Sequence, residues 1–182
     1  MNRTVYFIVY LLCLGVTMSA SAATQAYRAS LLYFTADPTR DANATHYLED
    51  GLLLIRDGHV VAASDYASVP AAQRRQLTIT DYRGKLLLPG FVDTHIHFPQ
   101  TEMIASYGEQ LLEWLNSYTF PTERKFADAG YARQRAGFFI NELLRNGTTT
   151  ALVFATVHPQ SVDALFEAAD AKQMRLIAGK VL

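Results

Sequence analysis

The 182-residue chain carries 16 basic and 17 acidic residues for a net charge of −1, and half of its residues are hydrophobic. That balance suits one good-sized domain or two small ones with packed cores, and it excludes an intrinsically disordered chain. The even charge gives nucleic-acid binding no electrostatic support, so no nucleic-acid partner is expected. The lone cysteine, Cys13, excludes a disulfide framework or a cysteine-type zinc site within one chain.

Residues 1–23, MNRTVYFIVYLLCLGVTMSASAA, stand apart from the rest. Arg3 makes a short positive start, Val5 to Met18 is apolar, and Ala20-Ser21-Ala22 is an A-x-A cleavage pattern. Residues 1–22 therefore read as a secretory signal peptide of an exported protein. The alternative is a cytoplasmic protein that starts at Met18, with the upstream residues an extension. The apolar run is shorter than the ~20 residues of a spanning helix, so no stable membrane anchor is expected.

Residues 24–88 read as antiparallel β up to about Lys85. Tyr27 to Thr35 is rich in aromatic and aliphatic residues and predicts a strand. Ala36 to Thr45 is turn-like, which places His46 in a surface loop. Leu52 to Arg56 and His59 to Ala63 flank Asp57-Gly58, a dipeptide suited to a tight primed hairpin turn. His59 then falls just past the turn, in solvent. A further strand follows in LTITDYRGKLLLPG, punctuated by Gly84 and stopped by Pro89-Gly90.

From Pro89 the pattern changes to alternating strand and helix. Phe91 to Phe98 is a short apolar strand. Tyr131 to Asn146 predicts a helix with Ala132, Ala136, Phe139, Ile140 and Leu143 on one face and Gly147 as its stop. TTTALVFAT is a continuous apolar run, as in a strand buried on both faces. Ser161 is placed to cap a second helix through Gln173, with Val162, Leu165, Phe166 and Ala169 inward, and MRLIAGKVL is a third strand. Strand–helix–strand–helix–strand predicts right-handed crossovers and a parallel sheet, in a doubly wound fold or a (β/α)8 barrel.

LPGFVDTHIHFPQ places His95 and His97 at the end of the first of these strands. Residues i and i+2 of a strand point to the same face, so the two imidazoles project together. In an α/β barrel the C-terminal strand ends form the catalytic face. Neutral imidazoles are good zinc ligands, and two of them make half of a mononuclear site. Asp93 reads either as a partner orienting a ligating histidine or as a strand-end residue bonded to backbone. His158 is either pocket lining or a loop residue. Glu113 reads as solvated, Trp114 as packing or pocket wall, and Tyr107 and Tyr118 as scaffold or interface.

The segments GLLLIRDGHVVAAS, GKLLLPGFVDTHIH and NGTTTALVF together resemble the amidohydrolase superfamily, in which a small β-sandwich flanks a (β/α)8 barrel whose first strand carries H-x-H. DTHIHFPQTEMIASYGEQLLEWLNSYTFPTE, continued by NGTTTALVFATVHPQS, is similar to the guanine deaminase family within it. The likeness runs from Tyr27 to Leu182.

That resemblance implies a zinc-dependent hydrolysis of guanine to xanthine and ammonia. It implies His95 and His97 as metal ligands, and His97, Phe98, Pro99 and Gln100 as the first wall of the substrate pocket, with the Gln100 amide on the base. It also implies a homodimer at full length, with guanine as the small-molecule partner. The organisation expected is a signal-like segment 1–23, part of the β-sandwich at 24–88, and the first βα units of the barrel at 89–182.

The family's third histidine, proton-shuttling glutamate, further histidine and aspartate ligand lie beyond the third strand and have no counterpart here. At roughly 31 residues per unit, residues 89–182 supply about three of eight units. The chain is therefore expected to be an N-terminal part, inactive by itself, with no acid or base catalyst of its own. Two other readings stay open: another amidohydrolase acting on a cyclic amide or nucleobase, and a non-catalytic remnant. A cytidine-deaminase type of site is excluded, since it needs H-x-E with P-C-x-x-C.

Overall fold

The computed structural model describes residues 24–181; the signal-peptide reading of residues 1–22 and the start at Met18 lie outside them. Among the described residues no helix is long and apolar enough to cross a membrane. The described residues divide into two compact units, with the boundary between Leu88 and Pro89.

The first unit holds a four-stranded sheet ordered β3-β2-β1-β4, formed by β1 (Gln25–Phe34), β2 (Thr45–Arg56), β3 (His59–Asp65) and β4 (Ile79–Leu87). β2 and β3 are joined at Asp57 and Gly58, whose φ angles of 52° and 74° are the left-handed pair that a primed turn requires. β1 and β2 pair antiparallel, with a register shift between Ala29 and Leu31. Gly51 faces this irregularity: a Cβ there would lie 2.4 Å from Leu31 Cγ, so the two strands approach closely only because the residue is glycine. Ala26, Ala29, Leu31, Ala44 and Leu52 are the unit's buried apolar residues.

Two expectations are corrected in this unit. β4 pairs parallel to β1, with Ala26 opposite Ile79, so the unit is not wholly antiparallel. The cause is the connection: the chain leaves β3 at one edge and crosses by residues 66–78, including the short helix α1 (Ala71–Arg74), to the other edge. A crossover of that length delivers a parallel strand, which a tight hairpin cannot. His46 belongs to β2 rather than to a loop. It pairs with Tyr33, stacks on that ring at 5.0 Å, and meets Thr35 Oγ1 at 2.9 Å.

The second unit is built on three parallel strands in the order β5-β6-β7: β5 (Phe91–His97), β6 (Thr148–Phe154) and β7 (Arg175–Gly179). Between β5 and β6 come a 3₁₀ turn at Phe98–Glu102, α2 (Leu111–Trp114), α3 (Phe120–Arg124) and α4 (Ala129–Arg145). A π turn at Leu115–Thr119 joins α2 to α3. Pro121 lies just past it, and proline has no N–H to give to the helix ladder, which accounts for the widened turn. α5 (Pro159–Asp170) connects β6 to β7.

α4 buries Ala132, Ala136, Phe139, Ile140 and Leu143, the face expected from their spacing. Gly147, at φ 85°, ends the segment in a conformation that favours glycine. At the other end the Asp128 carboxylate accepts a 2.7 Å bond from the Tyr131 N–H. Asp128→Ala removes this cap and is expected to lower stability by about 0.5–2 kcal/mol, read as a shift of the urea midpoint at unchanged slope.

The core of the unit lies between the strands and α4 and α5, and includes Phe98, Phe126, Ala151, Val153 and Leu165. In β6, Ala151 and Val153 turn toward the helices and Leu152 and Phe154 toward the opposite face of the sheet. α5 departs from expectation. His158, not Ser161, occupies the N-cap position, the helix stops at Asp170, and Phe166 is exposed while Ala164 is buried. Ser161 is fully buried, and its hydroxyl donates to His158 O (2.8 Å) while accepting from Thr156 N (3.2 Å). A side chain already spent on the preceding loop is unavailable to cap its own helix.

Candidate metal and substrate site

The last turn of β5 carries the site. His95 and His97 project from one side of the strand, and Ile96 points to the core on the other. Their Nε2 atoms stand 3.3 Å apart. Two nitrogens bound at about 2.0–2.1 Å to one tetrahedral zinc stand about 3.3 Å apart as well, so the pair fits two adjacent positions of such a shell. Burial, with His95 beside it, holds the His97 imidazole below its ordinary pKa, which keeps it in the neutral form that ligates. Among the described residues no third histidine, cysteine or carboxylate joins the pair.

Neighbours fix both rings. Phe154, opposite His97 in the parallel register, stacks on that imidazole at 4.8 Å and lies 5.0 Å from His95. Asp93 Oδ1 accepts from the His95 backbone N–H at 3.0 Å, the strand-end role. The Gln100 amide meets His97 Nδ1 at 3.2 Å. With the amide turned so that its oxygen faces the ring, Nδ1–H donates to Gln100 and the Nε2 lone pair is left for a metal.

A cavity of about 580 Å³ opens beside the pair and is lined in part by His95, His97, Gln100, Ser106 and Trp114. Trp114 is thus a wall of the cavity, and its indole N–H ties the preceding loop by a 2.9 Å bond to Ser106 O. Phe98 and Pro99 are placed differently from Gln100. Both are fully buried, with the Phe98 ring edge-on to Phe126 at 5.0 Å, so they anchor the turn from behind rather than line the cavity. Their apolar side chains gain more from the core than from a wet cleft. His158 lines a separate hollow with Asn116 and Glu123. Glu113, Tyr107 and Tyr118 are exposed.

The sequence reading did not find Phe154 or Glu102. Glu102 ends the 3₁₀ turn and accepts from the Tyr131 hydroxyl, from Lys125 Nζ at 3.3 Å and from Arg135 at 2.9 Å. The Tyr131 bond leads these contacts in holding its carboxyl below the usual range, while burial and then Glu102 push the Tyr131 phenol up to about 12. The signal for Phe154 was its place at the end of the neighbouring strand.

Three parallel strands backed by helices, with paired imidazoles at the first strand end, fit the metal-dependent hydrolase fold, which the family match and the solved neighbours support. The chain belongs to the amidohydrolase family, which matches residues 86–182. It is 55% identical to the guanine deaminase of Escherichia coli (strain K12) over 91% of its own length and 38% of that protein. The guanine deaminase structure from Bradyrhizobium japonicum superposes with a TM-score of 0.80 at 37% identity, over 86% of this chain and 35% of that one. The structure of guanine deaminase from C. acetobutylicum with bound guanine gives 0.74 at 28% identity, over 86% of this chain and 36% of that one. The chain thus spans little more than a third of the length of these relatives.

Proposed function

We propose that the protein carrying this segment is a zinc-dependent hydrolase that deaminates guanine to xanthine and ammonia. In this reading the four-stranded sheet is part of a β-sandwich, and residues 89–182 are the first three strand–helix units of a (β/α)8 barrel, so the segment is the N-terminal part of the enzyme. The observation that carries the reading is the convergent His95–His97 pair at 3.3 Å, bonded to Gln100 and open to a cavity. The substrate comes from the likeness to the guanine deaminases of E. coli and B. japonicum and to the guanine-bound neighbour.

His95 and His97 are the residues that would hold zinc, which when bound supplies Lewis-acid activation of water at neutral pH. Gln100 presents both a donor and an acceptor, which suits the amide-like edge of a purine. Phe98 and Pro99 keep that amide in place from the core side, and Trp114 closes the cavity. A homodimer is the assembly that the resemblance supports.

The test is turnover by the zinc-loaded full-length gene product. Xanthine and ammonia should form from guanine in equal amounts. The 182-residue polypeptide expressed by itself should form neither and should hold zinc poorly, because its two imidazoles fill only half of a tetrahedral shell. Turnover of a different cyclic amidine or nucleobase, with guanine untouched, would replace guanine as the substrate. A zinc-replete full-length protein that turns over none of them would favour a non-catalytic role.

A further inference from the structure

We propose that Glu102 is a positioning residue that fixes Gln100 against the substrate by tethering the far end of its turn to α4; this rests on the guanine reading above. The 3₁₀ turn Phe98–Glu102 leaves β5 immediately after His97 and carries Gln100 at its middle. Its near end is held by the ladder of β5 and by the buried Phe98 and Pro99. Its far end is held by the Glu102 carboxylate and by the buried Met103 that follows it. Glu102 Oε2 accepts from Tyr131 Oη and from Lys125 Nζ at 3.3 Å, and Oε1 pairs with Arg135 at 2.9 Å. The Arg135 guanidinium also lies over the Tyr131 ring, 5.3 Å from its centre.

An exposed ion pair alone contributes little. Here a single half-buried carboxylate gathers three donors from residues 23 to 33 positions further along the chain, so one side chain closes the loop between the turn and α4. The elements on either side do not depend on it. α4 packs through its own apolar face, and β5 is paired to β6. Releasing Glu102 therefore removes the turn's side-chain tether to α4 while leaving the histidines and the core in place. The moving part is Gln100, and its loss of register is a loss of substrate binding rather than of metal.

Glu102→Ala, Glu102→Gln and Tyr131→Phe, each alone and combined with Gln100→Ala, test this in the zinc-loaded full-length gene product. Glu102→Ala is expected to raise KM for guanine by about 5- to 50-fold, with kcat within about threefold of the parent. Zinc should stay near one per chain. Glu102→Gln still accepts from Tyr131 and should recover most of the loss, while Tyr131→Phe should fall between the two.

In the Gln100→Ala background, Glu102→Ala should add less than about twofold, because the contact it positions is already gone. A purely structural role would instead multiply with Gln100→Ala. Full multiplication, or a parental KM in Glu102→Ala, overturns the proposal. If Glu102→Ala is insoluble, Glu102→Gln and Tyr131→Phe carry the same cycle. A parent that does not turn over guanine takes down the guanine reading and this inference together; an active parent with additive variants takes down the inference alone.

Discussion

His97→Ala in the full-length gene product is expected to lose zinc and guanine turnover together. The side chain is one half of the 3.3 Å nitrogen pair at the end of β5, and its ring is held by Phe154 on one side and Gln100 on another. Alanine leaves His95 as a single imidazole with a gap beside it. Lewis-acid activation is worth several kcal/mol of transition-state stabilisation. At 1.36 kcal/mol per tenfold, a loss of about 4 kcal/mol is about a thousandfold in rate. Metal content by elemental analysis and xanthine formation from guanine should both collapse. His59→Ala is the control: His59 is exposed beside the hairpin turn of the first sheet, and its loss should leave both readings at the parent value. A His97→Ala protein with full zinc and full turnover would remove the histidine from the metal shell.

Gln100→Ala should separate substrate from metal. It removes an amide that lines the cavity and touches His97 Nδ1, but no atom placed to ligate. Zinc should remain near one per chain when the metal is supplied in excess. Leaving a polar group of a buried substrate unpaired costs about 1–3 kcal/mol, which corresponds to roughly a 5- to 200-fold loss in kcat/KM for guanine. Asp93→Asn should do less than either variant. Among the described residues its carboxylate accepts only the His95 backbone N–H, at 3.0 Å, and an amide oxygen can do the same. Wild-type kcat/KM in Gln100→Ala would sink the base contact and with it the residue-level case for guanine.

These outcomes rest on features that were readable to different degrees. The strand period alone put His95 and His97 on one face, because a side chain two residues on returns to the same side of a pleated strand. The helical period alone picked out Ala132, Ala136, Phe139, Ile140 and Leu143, all of them buried in α4. Asp57-Gly58 announced its turn, since both residues must take positive φ and few residue pairs do so cheaply. In each case the determining interaction lies within a few residues along the chain.

What the tertiary structure decided was which distant groups meet. Local patterning says that a segment has an apolar face, but not which sheet edge it docks on. So β4 entered parallel to β1 after its crossover. Of the run His97–Gln100, Phe98 and Pro99 went to the core, leaving His97 and Gln100 to face the cavity. Phe154 came to stack on the histidines through a parallel register set across the β5–β6 connection. Glu102 found Tyr131, a residue 29 positions further on, only once α4 had packed its apolar face and brought that hydroxyl within reach. Such contacts depend on packing between elements, and no periodicity along the chain encodes them.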